Sequence, residues 1–260
     1  MYKRQGTYRE GRAVISGYLS LSDTRFVVVF AHELGHFIGL DHTQLDYAQD
    51  LTSSNYPLMY PVAYRDQESL HGDDDAAVSA LYPDASLTTS YGEVTGTFVD
   101  SDSTPILGAN IWARNNTTGE VTSSVSDYRK QGNGHFRLLL KPGSYSLHAE
   151  SIRASFTGGS SVGPYSESAS DLSFQAPHPI SPVAFQGPTS GSQEIIEVSA
   201  DCRVDLVFRL DGGGSVTADD CTATAGPVIV DNRDANTTRT GTWRVSSASG
   251  AWSCLLYTSP

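Results

Sequence analysis

Lysine is almost missing from this sequence: Lys3, Lys130 and Lys141 are the whole complement. Charged residues of all kinds reach only 18%, and the formal net charge is −12 at pH 7. Nucleic acid and anionic membrane surfaces are drawn to clustered Lys and Arg, so both are excluded as partners on charge. Long apolar runs are missing as well, and none approaches the ~20 residues that a helix needs to span a bilayer. The opening residues, MYKRQGTYREGR, have no apolar core and do not form a signal peptide. Abundant instead are Ser, Thr and Gly, the last at 24 residues. That composition predicts a β-rich, secreted, extracellular protein of bacterial type rather than a cytosolic helical one.

The ends bear on the missing signal. Met1 to Gln5 can be written as GTG TAT AAG AGA CAG, whose reverse complement is CTGTCTCTTATACAC. Read from its second base, this encodes Cys-Leu-Leu-Tyr and the start of a Thr codon, and the chain closes on Cys254, Leu255, Leu256, Tyr257 and Thr258. Residues 1–5 and 254–260 are therefore expected to be translated sequencing-adapter DNA, with an internal fragment, its signal peptide lost upstream, between them. Of the three cysteines this leaves Cys202 and Cys221. In an extracellular setting they read as a disulfide, with two buried thiols as the alternative.

The densest chemistry lies at Ala31 to His42, AHELGHFIGLDH. His32, Glu33, His36, Gly39 and His42 form H-E-x-x-H-x-x-G-x-x-H. On a helix His32 and His36 stand one turn apart on one face, Gly39 lets the chain leave the helix, and His42 returns as a third nitrogen. Three imidazoles plus a water make a tetrahedral zinc site with an open position, the catalytic arrangement. Ser22, Asp23 and Thr24 offer caps for a helix starting near Arg25, and its core VVVFAHELGHFIGL is apolar on most faces and should be buried. Residues 11–21 read as a strand. A polar loop follows His42, then Leu58-Met59-Tyr60-Pro61, then a short helix with Asp73, Asp74 and Asp75 in its first turn and Pro83 as its stop.

Residues 31–83 resemble the C-terminal half of a metzincin catalytic domain, closest to the matrixin-like zinc peptidases. The zinc motif, L-M-Y-P at Leu58 to Pro61, and L-x-x-D-D at Leu70 to Asp74 ahead of A-L-Y-P carry the resemblance. It implies an α+β catalytic fold, one catalytic Zn2+ on His32, His36 and His42, Glu33 as general base, Met59 in the Met-turn beneath the metal, and structural roles for Gly39, Asp73 and Asp74. Structural Ca2+ is compatible with the resemblance, with no ligand set assigned. Pro61 stands where astacin-like members carry an additional tyrosine ligand, so Tyr60 is not carried over. The N-terminal sheet of such a domain is expected to be missing, leaving residues 6–83 as a partial domain, inactive and poorly folded by itself.

Residues 84–90 read as a polar linker. From Tyr91 to Leu210, short strands separated by Gly, Pro, Asn and Asp turns have the rhythm of an all-β sandwich. G-x-V-x-G, L-G-A-x-I and K-P-G-x-Y make this unit similar to carboxypeptidase-regulatory or transthyretin-like domains, and it is expected to fold alone. The Gly/Ser/Pro-rich stretch 154–193 reads as a long surface insertion, and GGGS after Asp211 as a flexible linker into a truncated β domain over 211–253. His71, His135, His148 and His178 lack ligand spacing. The fold class expected is thus multidomain, half a metzincin domain followed by all-β units.

The function expected is secreted zinc-dependent endopeptidase action on protein or peptide substrates bound along the strand around Val14 to Leu21. The competing expectation is a cell-surface adhesion or carbohydrate-binding β protein, with a glycan or cell-surface ligand and a vestigial protease portion.

Overall fold

The computed structural model describes residues 21–52, 54–62, 69–129, 131–152, 180–188 and 192–221. Residues 11–20 of the expected substrate-lining strand, residues 222–253 of the expected truncated β unit, both expected adapter ends and His178 lie outside these residues.

Helix α1 spans Asp23–Phe37, and the side chain of Ser22 caps it by accepting from the Arg25 amide. Its expected burial is not what the structure shows. Only Val28, His32 and Gly35 are buried, while Phe26, Val27, Phe30, Leu34, Phe37 and Ile38 are each 37–58% exposed. Phe26 and Phe30 stack along that open side, 6.2 Å apart. The sequence pattern gave an apolar circumference, but among the described residues only one side of the helix is covered.

Helix α2 spans Gly72–Leu81 and begins with a reciprocal cap between His71 and Asp74. The stretch expected to be a linker contains a one-turn helix, α3, at Leu87–Ser90. Asp84 organises its start by accepting from the Ser86 amide and hydroxyl.

Among the described residues nine strands follow: β1 Gly92–Val99, β2 Ala109–Asn115, β3 Val121–Val125, β4 His135–Leu140, β5 Gly143–Ser151, β6 Val183–Ala184, β7 Ile195–Val198, β8 Arg203–Arg209 and β9 Gly214–Asp219. One sheet has the order β4-β1-β8-β9, with β1 and β8 parallel; the other runs β3-β2-β5-β6, with β7 also on β5. Alternate residues of both sheets enter one core, with Phe98, Phe136, Leu138 and Phe208 from the first and Ile111, Leu147 and Ala149 from the second. Phe208 meets Phe98 and Phe185 edge-on at 5.2 and 5.4 Å.

Two sequence expectations need correction. The stretch 154–193 is not wholly a surface insertion: Ile180 and Phe185 belong to the core, and β6 pairs with β5. A two-residue strand beside prolines is too short to show periodicity. Nor is GGGS a linker. Gly212 donates to the Arg209 carbonyl and Arg209 to the Gly213 carbonyl, closing a hairpin that launches β9 along β8. The Asp-Gly pair was a hairpin signal that the glycine run obscured. Cys202 and Cys221 are joined just outside the β8–β9 hairpin, with Cα atoms 4.9 Å apart.

The helical segment and the sheets touch extensively. Leu45 packs against Trp112 and Val121. Ala76 packs against Tyr91 and Leu139. Gln49 donates to Glu150, and Arg114 donates to the Gln49 carbonyl and pairs with Asp50.

Candidate metal centre

Three local devices bring the histidines together. The first is the helix itself, which sets His32 and His36 one turn apart with ring centroids at 4.7 Å. The second is the exit at Gly39. Its φ is +101°, a conformation side chains resist. There Leu40 donates to the Gly35 carbonyl at 2.9 Å and Gly39 to the His36 carbonyl at 3.0 Å, a Schellman ending. This turn buries Leu40 and swings the following residues back, so that His42 Nε2 lies 3.0 Å from His36 Nε2 and 3.3 Å from His32 Nε2. The third is Met59. A Cβ on Gly35 would lie 2.3 Å from Met59 Sδ, so only glycine lets the methionine seat against the helix between the two histidines.

Hydrogen bonds at the other ring nitrogens decide what the converging atoms are. His32 Nδ1 donates to the Leu58 carbonyl at 2.7 Å and His36 Nδ1 to the Leu40 carbonyl at 3.0 Å. In a neutral imidazole, an Nδ1 that donates leaves Nε2 with a lone pair. Burial, the largest influence on His32, holds its pKa below the usual value and keeps the ring neutral. Lone pairs brought this close repel unless a cation sits among them. Two nitrogens on one tetrahedral zinc at ~2.0–2.1 Å are about 3.3–3.4 Å apart, close to the spacings of His42 from its two partners. All three ligand atoms fall within 4.8 Å of one another. The residues therefore fit a zinc ion, and backbone carbonyls on Nδ1 are the usual outer support of such ligands. The other such cluster, Cys202, Asp220 and Cys221, has its thiols joined as the disulfide.

Glu33 lies half-buried on α1 beside His32, and its charge acts on that ring. Asp74, 1% exposed, accepts from the Leu58, Met59 and His71 amides, which pins the turn carrying Met59 to the start of α2. Burial raises its pKa while those amides oppose the rise. Asp73 accepts from the Thr43 hydroxyl at 2.7 Å and from the Ser123 amide at 2.7 Å, linking the residue after His42 to β3. Tyr60 packs on Tyr56 with the rings tilted, centroids 4.2 Å apart. His71 caps α2 through its Nδ1, and His148 lies flat on Trp112 at 4.0 Å.

Residues that sequence reading missed are Gly35, Asp41, Thr43, Ser123 and Tyr128. Only Gly35 left a trace, as a small residue inside the helical motif between two ligands. The others act through partners distant in sequence.

Residues 13–83 match the family model described as Matrixin, a peptidase family. The match ends with α2 and supports a matrixin-like catalytic region over that stretch and, at family level, a metallopeptidase. No curated protein matches the chain. No helix among the described residues is long and apolar enough to cross a membrane.

Proposed function

We propose that the chain carries the metal-binding half of a secreted zinc endopeptidase. The observation that carries this is the convergence of three imidazole Nε2 atoms, with Nδ1 of His32 and of His36 each turned to a backbone carbonyl and a carboxylate next to the first ligand. When bound, zinc would supply Lewis acidity toward a water and a substrate carbonyl. His32, His36 and His42 would hold it. Glu33 accepts a proton from the attacking water and delivers it to the nitrogen of the leaving amine. Met59, held by Asp74 and seated against Gly35, keeps the floor of the site closed to solvent at 3% exposure. The exposed apolar side of α1 is a surface suited to a packing partner. The disulfide and the sparse lysines support an extracellular setting. No feature of the described sheets singles out a glycan, so that ligand is not part of the proposal.

The test is Glu33→Gln in the protein encoded by the complete gene. Zinc content should stay at the wild-type level while hydrolysis of denatured casein disappears. Hydrolysis that survives the substitution would remove Glu33 from its role.

A further inference from the structure

The sheets do more than follow the metal centre in sequence. His42 is flanked by Asp41 and Thr43, and both neighbours are tied to the β3–β4 side of the sheets. Asp41, 2% exposed, accepts the His42 amide on Oδ1 at 2.9 Å and the Tyr128 hydroxyl on Oδ2 at 2.8 Å. Thr43 donates its hydroxyl to Asp73, whose other oxygen accepts the Ser123 amide of β3. Thr43 also donates its amide to the Met59 carbonyl at 3.0 Å.

Tyr128 lies next to a hydrogen-bonded turn at 126–127. Asp127, itself buried, accepts from the Asn133 and Gly134 amides at 3.0 and 3.2 Å, and its own amide donates to His135. Ser126 ties the same turn to the Ile106 carbonyl and the Ala109 amide. A hydroxyl on such a turn can fix a carboxylate, and the carboxylate fixes the backbone of the third ligand. His32 and His36 need no such help, because the helix spaces them.

We infer that Tyr128 is a positioning residue for the metal centre. Acting through Asp41, and seconded by Ser123 through Asp73 and Thr43, it holds His42 in place, so the sheet unit is a structural part of the peptidase site rather than a separate accessory module. This rests on the zinc reading proposed above. Outer-shell partners of metal ligands typically contribute about 10–100-fold to metal affinity, and one bond further out the lower end applies.

The experiment measures zinc affinity by chelator competition, and exchange protection of the His42 amide, in the whole chain. Tyr128→Phe should bind Zn2+ about tenfold more weakly and lose His42 amide protection in the metal-free chain. Tyr145→Phe, which removes a hydroxyl bonded to the Lys141 carbonyl on β5, should alter neither reading. Thr43→Val should weaken zinc binding and Thr43→Ser should restore it, which keeps the test decisive if Tyr128→Phe fails to fold. Unchanged zinc affinity and His42 protection in Tyr128→Phe would overturn the inference, as would equal losses in Tyr145→Phe. A wild-type chain that binds no zinc would instead sink the metal reading, and the amide protection in the metal-free chain would still judge the buttress.

Discussion

Gly35→Ala tests how the floor of the metal centre is built, because two opposing effects are of similar size. Alanine in place of glycine within a helix is worth about 0.5–1 kcal/mol of stability. Against this, the new methyl carbon would stand 2.3 Å from Met59 Sδ and 3.1 Å from Met59 Cε, so the sulfur must retreat by more than an ångström. Methionine is flexible, but Met59 is 3% exposed and its amide is bonded to Asp74, which limits the retreat. Overpacking of this kind costs about 1–3 kcal/mol. The net expectation is a loss of about 0.5–2 kcal/mol in urea unfolding, with weaker zinc binding because His32 and His36 flank the contact. Met59→Ala alone should lose about 2–5 kcal/mol, and the double variant should be more stable than additivity allows by about 1–3 kcal/mol, since the methyl then occupies vacated space. A Gly35→Ala chain that gains stability, with effects additive to Met59→Ala, would refute the packing of methionine on this glycine.

Two further outcomes follow from the sheets. Burial and the nearby Arg114 push the His148 pKa down to about 4, so the folded protein binds fewer protons than the unfolded chain between that value and 6.5. Stability should therefore be complete above pH 6.5 and fall as pH drops toward 4, and His148→Phe, which keeps the stack on Trp112, should flatten that slope in pH-dependent urea melts. Reducing Cys202–Cys221, whose sequence separation is 19, should destabilise the chain by about 3 kcal/mol, read from denaturation with and without reductant.

The elements that sequence made legible share a local cause. Ser22 beside a helical repeat, three aspartates ahead of an apolar face, and glycine three residues after the second of two paired histidines all act within a turn or two of themselves. The histidine triad belongs to this class, since a helix plus one left-handed residue is enough to assemble it. Partnerships over long separations stayed hidden. The segment after His42 reads as a polar loop, yet Thr43, Gln44, Leu45, Asp46 and Gln49 are buried. Thr43 and Gln49 tolerate burial because their partners arrive from afar, Asp73 30 residues on and Glu150 101 residues beyond Gln49, while Asp46 is held locally by the Ala48 amide. Those bonds were not legible in the sequence, because each donor and acceptor looks like an ordinary surface residue. The open side of α1 has the converse reason: an apolar pattern reports what a helix is suited to bury, not what lies beside it.

X-ray absorption at the zinc edge, with metal content measured on the same samples, tests the central claim most directly. The account predicts one zinc per chain, three imidazole nitrogens at ~2.0–2.1 Å and no sulfur, unchanged in Glu33→Gln and abolished in His36→Ala. Zinc retained by His36→Ala in the same coordination, or a sulfur donor in the first shell, would contradict it.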